Sequence, residues 1–218
     1  MMQRRRQMKV ALYWAAGLFT GFLFVTQQVI TNGPLIDLDA AIANAERPRV
    51  SKTMKFVLMR IDNLGLRGVT ATVLIISAII IARRFKSWRP LNLSILALLA
   101  LNLVVGLSKL FIGRTKPKLN VDLVYAGGLS YPSGHASNAL LTWGVLAYLI
   151  YRYSHPQNYH GIFMAIATGA ITTMVCLVSL FRNTHWLSDL VGGLFIGGAL
   201  LVIVIAVDRY VPSKSQVS

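Results

Sequence analysis

Negative charge is scarce in this chain: seven Asp and Glu stand against 22 Lys and Arg in 218 residues. Charged residues of both signs make up only 13% of the sequence, too few to cover a soluble domain of this size. A single cysteine, Cys176, lies inside an apolar run; it excludes an intrachain disulfide and says nothing of redox compartment. No compact basic domain accounts for the net charge of +15, so nucleic acid is not an expected partner. Carboxylates are not clustered either. Asp122 is alone in its loop, which leaves no oxygen-rich site for Mg²⁺. An internal repeat and helices broken at midplane depth, the marks of many transporters, are also missing.

Hydrophobic residues are plentiful, at 55%, and mean hydropathy is +0.60. They gather into runs of membrane length at about 10–30, 67–83, 91–113, 135–152, 161–181 and 188–207. The expected fold is therefore all-α: one domain over residues 1–218, an integral membrane bundle of six transmembrane helices. The stretch from about 37 to 63 mixes Lys52, Lys55 and Arg60 with Phe56, Met59 and Asn63, and predicts a short amphipathic helix on the membrane surface. The first run is too long for a signal-peptide core and lacks an A-x-A site, so it is expected to be retained. Arg4, Arg5, Arg6 and Lys9 precede it, and Arg83, Arg84, Lys86 and Arg89 follow the second run. Such cationic flanks place both termini in the cytoplasm of a multi-pass plasma-membrane protein.

That orientation puts three polar segments on the outer face. The first, KLFIGRTKP, carries Lys109, Arg114 and Lys116; Lys109 lies within an apolar run, where an ammonium calls for a partner or ligand. The second, YPSGHAS, reads as a helix start with Ser133 as N-cap. Its free N–H groups, the close approach allowed by Gly134 and the imidazole of His135 make an anion site. In the third, RNTHWLSD, His185 and Asp189 are four apart and share a helix face, so the carboxylate can orient the imidazole. Arg182 lies one turn before His185. His155 and His160 sit in an inner loop, away from these three segments. GGLFIGG, residues 192–198, lets the last span pack closely on a neighbour. Trp186 reads as an interfacial anchor.

The order Lys-x6-Lys-Pro, Pro-Ser-Gly-His, then Arg before His-x3-Asp resembles the type 2 phosphatidic acid phosphatase superfamily over spans three to six. The resemblance implies a lipid phosphatase without metal or other cofactor. His185, oriented by Asp189, is the implied nucleophile of a phosphohistidine intermediate, and His135 the proton donor and base. Lys109, Lys116, Ser133, Gly134 and Arg182 are the implied phosphate ligands. A membrane lipid is the implied partner: first phosphatidylglycerophosphate, then undecaprenyl diphosphate or phosphatidic acid. Two positions depart from the pattern. Lys116 stands where the family usually has arginine, and Ser179 stands where its arginine precedes the histidine by six residues. Arg182 is expected to substitute. A catalytically dead lipid-binding member is the non-enzymatic alternative.

Overall fold

The computed structural model describes residues 2–117, 128–153 and 158–211. Asp122 and His155 lie outside the described residues. Eight α-helices follow in order: α1 Met2–Ile30, α2 Pro34–Asn44, α3 Lys52–Asp62, α4 Arg67–Arg84, α5 Arg89–Ile112, α6 Gly134–Tyr153, α7 Asn158–Phe181 and α8 Leu187–Tyr210. A 3-10 turn, Asn63–Gly65, joins α3 to α4.

The breaks have local causes. Pro34 opens α2, where its missing N–H costs nothing. Pro90 does the same for α5, and Gly113 ends that helix in the left-handed region at φ 65°. Between α2 and α3, Pro48 cannot continue a helix, and Arg47 satisfies the last carbonyls of α2 by donating to Ala43 O and Ile42 O, both at 2.8 Å. The predicted single interfacial helix over 37–63 is therefore two helices. Only α3 has the amphipathic face, with Phe56 and Met59 about half exposed. Helix α2 turns Asp39 inward, 1% exposed.

Every expected run forms a helix, and the molecule is a multi-pass, all-helical membrane protein. Four helices (α1, α5, α7 and α8) are long and apolar enough to cross a bilayer. The α3–turn–α4 pair passes the same test only together and bends by 57°. Helix α4 alone carries Arg67, Arg83 and Arg84, and α6 carries buried Ser137, Asn138 and Thr142. Helix α4 falls short because of exposed arginines at its two ends, and α6 because it turns polar groups into the interior.

Helix α6 lies at the centre, packed by α4, α5, α7 and α8, with α1 against α8. Leu74, Leu101, Leu141, Val145 and Ile196 form its apolar surround. At one end, Asp208 is 5% exposed and binds Arg89 Nε at 2.6 Å, the Tyr148 hydroxyl at 2.6 Å and Arg152, which ties α5, α6 and α8 together. At the other end α8 presses on the start of α6. A Cβ on Gly193 would stand 2.6 Å from Ser133 O, and one on Gly192 would stand 2.7 Å from the Tyr131 hydroxyl. The GGLFIGG stretch is thus a packing device, and it holds the helix start that carries His135.

The obstacle at Gly193 is backbone, which cannot rotate away. Gly193→Ala is expected to lower stability by about 1–3 kcal/mol, read by thermal melting in detergent.

Candidate active site

Asp189 organises the site. It is fully buried, in the first turn of α8, and each of its oxygens is occupied. Oδ2 accepts from Trp186 N at 3.0 Å, capping the helix, and meets His185 Nδ1 at 3.3 Å. Oδ1 accepts from Arg114 Nη1 at 3.1 Å and from the Ser130 hydroxyl at 3.4 Å. With the proton on Nδ1, His185 keeps Nε2 as a free lone pair. His185 is itself only 4% exposed, so its ring has little freedom.

Arg114 extends this network. Its Nη2 binds Asp39 Oδ2 at 2.7 Å, its Nη1 also meets the Ser188 hydroxyl, and Ser188 N donates to Asp39 Oδ1 at 2.9 Å. One guanidinium therefore joins α2, the segment after α5 and α8 through two buried carboxylates. Trp186 belongs to the same frame rather than to the lipid surface: its indole N–H donates to Thr115 O at 2.8 Å, and Arg114 lies 5.0 Å from its ring. The segment before α6 is held beside it. Ser130 N donates to Arg114 O at 2.7 Å, and Ser133 N to Asp189 O at 2.8 Å. Burial pushes the Tyr131 phenol up to about 12, so it stays neutral and pairs with the Thr26 hydroxyl at 2.8 Å.

These contacts bring His135 and His185 together, their rings tilted by 58° with centroids 5.7 Å apart. Both line a cavity of about 270 Å³ together with Gly134, Lys109 and Lys116. Lys109 Nζ donates to Leu129 O at 2.6 Å, which places an ammonium at the cavity wall. Asn138 also lines it; its Nδ2 donates to Gly134 O at 2.7 Å, and its buried Oδ1 has no hydrogen-bond partner. Two imidazoles, two lysines and a helix start thus share one cavity, an arrangement with the chemistry to receive an anion.

Two expected ligands are placed elsewhere. Ser133 is wholly buried, and its hydroxyl accepts from Ala136 N at 3.3 Å, so it caps α6. Arg182 binds Asp62, whose other oxygen accepts from the Ser179 hydroxyl at 2.9 Å. Asp62 ends α3, and a Cβ on Gly65 in the following turn would stand 2.8 Å from His135 O. Arg182 and Ser179 thus brace the turn beneath His135 and do not line the cavity. Among the described residues no group of three His, Cys, Asp or Glu could hold a metal ion. Sequence reasoning missed Asp39, Asp62 and the pairing of Arg114. The signal was present: four of the seven acids, Asp39, Asp62, Asp189 and Asp208, are buried, and each is paired with arginine.

The fold and the paired histidines define a membrane-bound phosphatase of lipids. The PAP2 superfamily model matches residues 90–212, and the chain belongs to that superfamily. Phosphatidylglycerophosphatase B of Bacillus subtilis is 26% identical over 205 residues, which span 94% of this chain and 100% of that protein. The crystal structure described as the first transmembrane PAP2 type phosphatidylglycerolphosphate phosphatase from Bacillus subtilis matches with a TM-score of 0.82 at 25% identity, covering 93% of this chain and 99% of the other.

Removing one partner of a buried ion pair strands the other, at a cost of about 3–5 kcal/mol. Arg114→Ala strands two carboxylates and is expected to lower the melting temperature more than Arg182→Ala, whose side chain is 31% exposed. Melting curves of the two variants and of Asp39→Ala/Arg114→Ala check this; the double variant should recover part of the loss.

Proposed function

We propose that the protein hydrolyses the terminal phosphate monoester of phosphatidylglycerophosphate, by way of a phosphohistidine on His185. The observation that carries the reading is His185, oriented by Asp189 and facing His135 across a cation-lined cavity. The matched relative's name supplies the substrate.

In the first step Nε2 of His185 attacks phosphorus, a P–N bond forms and the P–O bond to the glycerol breaks. His135 gives its proton to the leaving oxygen. In the second step His135 takes a proton from water, the oxygen of that water attacks phosphorus, and the P–N bond breaks to release inorganic phosphate. Lys109, Lys116 and the N–H groups of Gly134 and His135 stabilise charge on the non-bridging oxygens. Ser133 serves by fixing the helix start, and Arg182 by fixing Asp62 under His135. Positive groups supply the charge stabilisation, and the scheme takes no metal.

The same reading takes six crossings, with the bent α3–α4 pair as one and α6 as another. The site faces the extracytoplasmic side of the plasma membrane, and both termini face the cytoplasm. Cationic residues before α1 and between α4 and α5 support this orientation.

Phosphate release by the detergent-purified protein tests the reading. Release from phosphatidylglycerophosphate is expected to persist in EDTA and to fall at least a thousandfold in His185→Ala. Faster release from undecaprenyl diphosphate would change the substrate, and release abolished by EDTA would overturn the mechanism.

A further inference from the structure

Arg67 opens α4 and forms part of the wall of the histidine cavity. A cation there opposes the helix dipole, whose N-terminal end favours anions. Arg114 and Arg182 near the site are each held by carboxylates. Among the described residues no carboxylate lies within ion-pair distance of Arg67; one terminal nitrogen donates to Asn102 Oδ1 at 3.0 Å. A neutral amide fixes the guanidinium without cancelling its charge. The result is a positioned cation, at the wrong end of a helix for stability, facing a cavity.

Its placement within the cavity matters. Asn102 and Lys109 are seven residues apart on α5, so they share one face at levels about 10 Å apart along the axis. Between them the wall is apolar and small, from Val105 and Gly106. Arg67 is hydrogen-bonded at the level of Asn102, about two helical turns along α5 from Lys109.

We propose that Arg67, held by Asn102, binds a second phosphate of the substrate: the diester phosphate that joins the headgroup to the diacylglycerol. Lys109, Lys116 and the start of α6 hold the terminal phosphate at the same time. This rests on the phosphate-ester reading of the site and adds its substrate class, a phospholipid with two phosphates separated by a short polyol linker. A lipid with one terminal phosphate leaves Arg67 without a partner. In a diphosphate the second phosphate sits too close to the first to reach the level of Asn102.

Binding measured apart from turnover tests the proposal. His185→Ala protein is placed in zwitterionic bilayer discs doped with phosphatidylglycerophosphate or with phosphatidic acid, and the two affinities are compared by native mass spectrometry. The two-phosphate lipid is expected to bind at least tenfold tighter. Adding Arg67→Gln should reduce that ratio about tenfold, the loss of one charge-assisted contact. Arg67→Lys should restore part of it, and Asn102→Ala should lower it. The lysine variant keeps the charge, so a folding defect in the glutamine variant does not decide the outcome. No preference in His185→Ala, or a preference that survives Arg67→Gln, overturns the proposal. If wild-type protein releases no phosphate while an Arg67-dependent preference remains, the reaction assignment fails and the second-phosphate site stands.

Discussion

The carboxylate of Asp189 is the constraint on which the site depends. A buried anion without partners would be intolerable in a chain this apolar. Its oxygens are satisfied by a helix-capping N–H, an imidazole, a guanidinium and a hydroxyl. Those donors come from three parts of the local architecture, so the requirement to satisfy one carboxylate draws the start of α8, the segment after α5 and the loop before α6 to a single point. His185 is oriented by the same carboxylate that holds these segments together.

Ion pairing is concentrated at the two ends of the bundle, and its middle is apolar. Asp208 ties three helices at one end, and the Asp39–Arg114–Asp189 chain ties the other. Between them the helices are held by close packing, as where Gly193 and Gly197 of α8 meet the backbone of α6. This division suits a membrane solvent, in which apolar contact gives little net drive for association and small residues permit close approach. The start of α6 is packed from both sides, by α8 at Ser133 and Ala136 and by the turn after α3 at His135.

Much of this was legible in the sequence where a short-range rule applied. The long runs located all six longer helices beyond the surface segment, and the four-residue spacing placed His185 and Asp189 on contact. Pro-Ser-Gly-His marked a capped helix start, and the cap at Ser133 is present. His185 itself lies just outside α8, whose N-cap is Trp186, so the two side chains meet across the helix cap and not along a shared helix face. The failures came where position in space was decided by distant partners. Arg182 is one turn from His185 by sequence, yet Asp62, 120 residues earlier in the chain, captures it. Trp186 looked like a lipid anchor because aromatic residues at helix ends usually are; a carbonyl at Thr115 holds it inside. Asp39 stood in a stretch read as surface, and only the fold shows that α2 inserts it between Arg114 and Ser188. In a sequence with so few acids, asking which arginine each one needs would have pointed to Asp39 and to Arg182.

The account's central claim is that Asp189 leaves Nε2 of His185 free to take the phosphoryl group. The measurement is to mix the enzyme with phosphatidylglycerophosphate, quench in base, where phosphohistidine survives, and map the covalent phosphate by mass spectrometry and phosphorus NMR. The account predicts phosphate on Nε2 of His185. Phosphate on Nδ1 of that ring, on His135, or on no residue while turnover proceeds would contradict it.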